Sequence, residues 1–324
     1  MSPLAATWLL SFVVATAVLT ATALGLWFER KLAARMQSRL GPTMVGPVGI
    51  LQPVADLLKM LQKEPIVPDG ADHVLFWLAP PLTAIFALLS AGLVPWARDA
   101  APVRIDVGAL LIVALGGLAV IPVWVAGWAS RNKYALLGAM RAVAQSVSYG
   151  VPLVLSALVP VILAGSMDLN TIVRFQGAHH WFALWPVLPG LPAFLLFIIA
   201  LLAESNRIPF DIPEAESELV AGVTTEYTGM QFGLVYMAEY IHTLVGSAVA
   251  AVLFLGGWDG PGAPGVHWMI LKTGLLFAAL YWVRWSLVRL RADQLMALCW
   301  KWLVPGGLAL VFLASFWTQL QGGS

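Results

Sequence analysis

From Ser2 to Phe28 the chain runs without a single charged residue. A helix needs roughly 20 apolar residues to cross a bilayer, so this run is long enough to span one. A cleaved leader would place its basic residues ahead of a shorter apolar stretch. Here Arg30 and Lys31 follow the run, which therefore reads as an uncleaved first span. The pattern repeats along a chain that is 60% hydrophobic and 11% charged, where a soluble domain carries about 25% charged residues. The expected fold is an all-α integral membrane protein, a single membrane domain over residues 1–324. Its eight transmembrane helices are expected at about 4–28, 74–96, 107–129, 142–166, 183–204, 234–257, 266–288 and 302–321. Pro122, Pro152 and Pro160 fall inside spans, where neighbouring helices can satisfy the carbonyls they free.

The basic residues fix orientation. Arg98, Arg104, Arg174 and Lys272 fall on one side of these spans, and the other fourteen Lys and Arg fall on the opposite side. The richer side faces the cytoplasm, which places both termini outside. A single cysteine, Cys299, excludes an internal disulfide, a thiolate-held iron–sulfur cluster and a Cys-rich zinc site within the chain. No Gly-rich phosphate fingerprint is present. A net charge of +1 with no basic tail gives no reason to expect nucleic acid.

Residues 50–63 differ from the spans. Ile50, Leu51, Val54, Leu57, Leu58 and Leu61 follow helical spacing on one face, while Asp56, Lys59, Gln62 and Lys63 fall elsewhere. A helix of about 20 Å is too short to cross a bilayer and is expected to lie along the cytoplasmic interface. It either covers the ends of spans or frames an opening for an apolar ligand arriving from lipid.

Seven of the seventeen acidic residues fall between Glu204 and Glu239: Glu204, Asp211, Glu214, Glu216, Glu218, Glu226 and Glu239. They lie in and around an acidic cytoplasmic loop at 205–233. Charge near a bilayer is expensive, and such clusters mark ion or proton paths. Pro209 and Pro213 prevent a continuous helix after Arg207. Asp211 and Glu214 fit a capping role at a helix start near Pro213 equally well. Glu214 and Glu218 are spaced to share a helix face, where repulsion and partial burial raise carboxyl pKa values. Glu239 lies in the apolar stretch from Phe232 to Trp258 and is protonated, paired across helices or beside water. Glu29 is not explained by membrane anchoring, as Arg30, Lys31, Arg35 and Arg39 are. It is expected to pair with Arg30, Lys31 or a loop residue.

Ordered short motifs run through the chain: Glu29-Arg30-Lys31, Gly46-Pro47, Gln52-Pro53-Val54-Ala55-Asp56, Lys63-Glu64-Pro65, Gly127-Trp128-Ala129-Ser130 and Arg141-Ala142-Val143-Ala144-Gln145. The stretch Glu204 to Asp211, the stretch Pro213 to Leu219, Glu226-Tyr227-Thr228-Gly229-Met230, Met237-Ala238-Glu239-Tyr240 and Asp293-Gln294-Leu295-Met296 continue the series. Over nearly its whole length the chain resembles the quinone-chamber membrane subunit of respiratory complex I, the proton-pumping NADH:quinone oxidoreductase. Bacterial and mitochondrial forms of that subunit make up one family.

The resemblance implies eight spans and a quinone, ubiquinone or menaquinone, as substrate. Span one, the 50–63 helix and span six would frame the lipid-side entrance of a quinone chamber. Glu29, Arg30, Arg39, Lys63, Glu64, Arg207, Phe210 and Arg284 would belong to that chamber. Glu204, Asp211, Glu214, Glu216, Glu218, Glu226 and Glu239 would form the proton path. No metal or flavin would be bound by this chain, and the chain alone would not turn over. Its partners would be peripheral iron–sulfur and quinone-reducing subunits on the cytoplasmic side, membrane-arm subunits including small ones beside the acidic path, and lipid. The location would be the bacterial inner membrane, with both termini periplasmic. Two departures stand out: Gly150, where the family usually has Glu, and Val288, where it often has Pro. Water or a partner's acid would take the place of the missing carboxylate, or coupling would be altered. Two rival readings are an ion-path and anchor subunit of a membrane-bound hydrogenase, and a stand-alone secondary transporter. The cytoplasmic-edge clustering of the acids speaks against the transporter.

Overall fold

The computed structural model describes residues 3–98, 101–184, 189–214 and 216–322. Among these residues every regular element is helical. The helices are α1 (Pro3–Met36), α2 (Gln52–Gln62), α3 (His73–Leu93), α4 (Gly108–Leu118), α5 (Val120–Ala129), α6 (Lys133–Ala164), α7 (Leu169–Ala178), α8 (Gly190–Glu204), α9 (Glu216–Leu219), α10 (Gly229–Phe254), α11 (Val266–Ser286), α12 (Ala292–Leu298) and α13 (Val304–Gly322).

Among the described residues, seven helical stretches are long and apolar enough to cross a membrane. Two are composite. The α4 and α5 helices join at Ala119 into Gly108–Ala129, and α12 runs through a π-helical turn at Cys299–Leu303 into α13. The expected span at 183–204 appears as α8, with 15 residues. At 1.5 Å per residue this is about 22 Å, short of a hydrocarbon core of about 30 Å. Residues 185–188 of that expected span lie outside the described residues.

Several helices extend past the limits hydropathy suggests, at one end or the other, because charge close to a span end need not end the helix. The α1 helix continues to Met36, so Glu29, Arg30 and Lys31 ride on its last turns. The α6 helix starts at Lys133, with the Asn132 side chain accepting from the Tyr134 amide. The α10 helix starts at Gly229, which shortens the acidic loop to 205–228. The α7 helix, capped by Asp168 through the amides of Asn170 and Thr171, has no counterpart among the expected elements.

The α10 helix forms the centre of the bundle. Its most apolar window is 78% buried, against 22% for α1. The outer helices turn large apolar side chains outward, among them Trp8, Phe12, Phe312 and Phe316, as a lipid-facing surface requires. The loop after α8 folds back on α6. Gly222, at φ 55°, passes so close to Pro213 that a Cβ there would lie 1.9 Å from the Pro213 carbonyl oxygen. Only glycine fits that left-handed crossing. The Leu290 amide donates to the Pro209 carbonyl at 2.9 Å, tying the segment after α11 to the same loop.

Candidate functional site

The last turns of α1 bring charge against α10 and α11. Glu29 is 4% exposed and accepts hydrogen bonds from the Tyr240 hydroxyl on α10 and from Arg284 on α11. Its partners therefore come from distant helices, in place of the neighbouring Arg30 or Lys31. Arg30 turns the other way and pairs with Asp56 of α2 at 2.5 Å. Adjacent residues thus clamp α1 to two different parts of the molecule.

Around Glu29 lies a polar cavity of about 600 Å³ that also meets Arg30, Arg39, Tyr236, Tyr240 and Arg284. An apolar cleft of about 720 Å³ lies between α1 and α11, reaching Trp27, Phe28 and Ile50 at one end. The cleft and the cavity are neighbours along α1, because Phe28 and Glu29 are consecutive. Lys63 and Glu64 stand apart from both. Their segment is held to the start of α10 by Thr228, whose hydroxyl donates to the Glu64 carbonyl and accepts from the Ile66 amide.

The acidic loop supplies a second centre. The α8 helix ends at Glu204, and Asn206 adopts a left-handed φ of 50°. This turn sends Arg207 inward, where it is 3% exposed. Arg207 lies 3.2 Å from Glu239 of α10, and its guanidinium sits 4.5 Å from the centre of the Tyr240 ring. Gln145 of α6 locks the turn. Its buried amide nitrogen donates to the Ala203 carbonyl, the Asn206 side-chain oxygen and the Phe210 carbonyl. Phe210 is buried as a packing residue of this turn.

Glu214 does not share a helix face with Glu218, because α9 begins only at Glu216. It turns to Glu239 across the loop, within hydrogen-bonding reach. Two carboxyl groups close together favour the state in which one of them holds a proton. Burial, with Glu239 adding, pushes the Glu214 carboxyl up to about 8. Burial, reinforced by Glu214, pushes Asp211 up to about 6, against the pull of Arg289, Arg284 and Arg207.

A cavity of about 70 Å³ brings together Glu204, Glu214, Glu239, Tyr149, Asn206 and His242. Glu218 is elsewhere. It is exposed and pairs with Arg141 at 2.5 Å and Arg289 at 3.3 Å. The hydrogen bond from Arg141 holds its carboxyl below the usual range, so it stays ionised. Glu226 accepts from the side chain of Asn132 at the start of α6. The Glu216 side chain lies outside the described residues. Among the described residues no three His, Cys, Asp or Glu converge on a metal site.

Sequence reading missed the roles of Tyr240 and Gln145, although both sit inside the short motifs it singled out. Each acts through a partner far away in the chain, which local spacing does not reveal.

A family model described as NADH dehydrogenase matches residues 9–315. The chain is 46% identical over 299 residues to the H-type subunit of NADH-quinone oxidoreductase from Dehalococcoides mccartyi strain CBDB1, covering 92% of this chain and 83% of that protein. It is 46% identical over 312 residues to an H-type NADH-quinone oxidoreductase subunit of Geobacter sulfurreducens, with 92% of each covered. It is 42% identical over 299 residues to the H-type subunit from Desulfotalea psychrophila, covering 89% of this chain and 90% of the relative. With buried carboxylates ranged along a membrane-spanning helical bundle and a match across almost its full length, the chain belongs to the NADH dehydrogenase family of H-type NADH-quinone oxidoreductase subunits.

Proposed function

We propose that this chain, as a membrane subunit of NADH-quinone oxidoreductase, walls the path of the quinone and carries the first carboxylates of the proton path. The observation that carries the reading is the adjacency of the apolar cleft to the polar cavity around Glu29, Tyr240 and Arg284. A quinone has a long apolar tail and a polar head. The cleft suits the first, and the hydroxyl and guanidinium donors suit the carbonyl oxygens of the second. In this reading α2 lies at the membrane surface with Leu57, Leu58 and Leu61, all exposed on this chain, turned to lipid or a partner. The α8 helix is the eighth span.

The subunit sits in a bacterial inner membrane, with its Lys- and Arg-rich side toward the cytoplasm and both termini outside. Peripheral iron–sulfur and quinone-reducing subunits cover the acidic loop, and small membrane subunits flank the carboxylates. Its coupling is electrostatic. A carboxyl pair that shares one proton gains or loses it when charge nearby changes, so Glu214 and Glu239 are suited to sense quinone reduction and hand protons toward Glu204.

A photoreactive azidoquinone added to the assembled complex tests the chamber. Labelling is expected on peptides of α1 and α11 and is suppressed by excess natural quinone. Labelling confined to other parts of the chain, or unaffected by competition, overturns the assignment.

A further inference from the structure

His242 lies on α10 one turn beyond Glu239, so the two share a helix face. It borders two separate cavities. The first, of about 70 Å³, contains Glu214 and Glu239. The second, of about 30 Å³, lies among α3, α4, α6, α8 and α10 and is apolar apart from Ser90 and the groups it shares with the first. The shared groups are Glu204 and His242. These two side chains therefore stand between the carboxylate-lined space and the space deeper in the bundle. Among the described residues the imidazole has no hydrogen-bond partner in the protein, so no structural bond accounts for placing it there. A space of about 70 Å³ with several polar walls has room for water, since a cavity needs roughly 10–15 Å³ to admit a first molecule.

The helices packed around His242 leave few other carriers. The α6 helix offers Tyr149 at the first cavity and Leu153 at the second, and Gly150 between them brings no side chain. The α3 helix offers the hydroxyls of Thr83 at the first cavity and Ser90 at the second, and α4 only apolar groups. The loop offers Glu214 with the neutral side chains of Ser205, Asn206 and Thr224, α8 offers Glu204, and α10 itself offers Glu239.

We propose that His242 is a proton-carrying residue of this subunit. It takes a proton from the Glu214–Glu239 side on one ring nitrogen and releases a proton to Glu204 through the shared water space. An imidazole suits the step, since it can accept a proton on one nitrogen and donate one from the other. No electrons move, and the ring returns to its neutral form after each transfer. The inference rests on the proton-path reading given above and adds to it a residue that is not a carboxylate.

The test uses the assembled complex in proteoliposomes and compares protons translocated per electron pair. His242→Ala is expected to lower that ratio at least twofold. Added imidazole is expected to restore it, whereas pyrazole, of the same size but far less basic, is not. Equal rescue by both compounds would show that His242 only fills space and would overturn the proposal. A normal ratio in His242→Ala would overturn it too. Should the alanine variant not assemble, His242→Gln keeps polarity and bulk without base strength, and it is expected to show the same loss; a normal ratio there is equally fatal. Glu204→Gln, measured alongside, separates the two readings. If it abolishes pumping while the His242 variants pump normally, only the His242 proposal fails. If it also pumps normally, the proton path itself fails.

Discussion

Glu214 is a loop residue whose chemistry its surroundings alter strongly. Its carboxyl has an ordinary value of 4.5 and is pushed to about 8, mainly by burial and then by Glu239. Below pH 4.5 it is protonated in the folded and unfolded chain alike, and it costs the fold nothing. As pH rises toward 8 the unfolded chain ionises freely while the folded one resists, so stability falls across that window. Each unit of difference corresponds to about 1.4 kcal/mol. Glu214→Gln removes the ionisation, and stability is expected to become flatter between about pH 5 and pH 8. Infrared difference spectra of the complex should show a protonated carboxyl band that fades with a midpoint near 8 and is missing in the variant. A band that persists unchanged in Glu214→Gln would assign that proton to another group.

Between helices, the contrast of Glu29 with Asp56 separates a buried clamp from a surface one. Glu29 is buried with Arg284 and Tyr240, whereas the pair of Asp56 with Arg30 leaves the arginine side chain 41% exposed. Removing one partner of a buried pair costs about 3–5 kcal/mol because the other charge is stranded. An exposed pair is worth about 0–1 kcal/mol. Glu29→Ala is therefore expected to shorten the half-life of the heated complex severely, and Asp56→Ala to leave it nearly unchanged. Similar half-lives for the two variants would contradict this account of how α1 is held. Sequence alone could not rank these residues. Glu29 and Arg30 sit together at the end of an apolar run and Asp56 lies inside a short amphipathic helix, and none of these settings names a partner. The difference arises from which face of α1 each one occupies once the helix continues to Met36. In the same way, Pro209 and Pro213 correctly marked the break after Arg207, but nothing local showed that Gln145 on α6 would lock it.

Across the whole molecule, composition and hydropathy were enough to specify an all-helical chain with several helices long and apolar enough to cross a membrane, because apolar runs of that length have few other solutions. They did not capture the arrangement of the acids. Glu204, Glu214 and Glu239 meet at one cavity, while Glu218 and Glu226, equally prominent in the sequence, are taken up by Arg141, Arg289 and Asn132. The same arrangement bears on Gly150, where the resemblance read from the sequence leads to the expectation of Glu. Gly150 follows Tyr149, a wall of the Glu204 cavity, on α6, and a Cβ built on it would meet no atom within 4 Å. The backbone there has room for the start of a side chain, so Gly150→Glu is expected to assemble. If the missing carboxyl weakens or reroutes coupling, the substitution should raise the number of protons pumped per electron pair. It should also recover part of the loss in a His242→Gln background, because a second proton carrier on α6 would then serve the same cavity. A ratio unchanged in both backgrounds would mean that position 150 takes no part in coupling, and that the acids already gathered on the loop, α8 and α10 are sufficient.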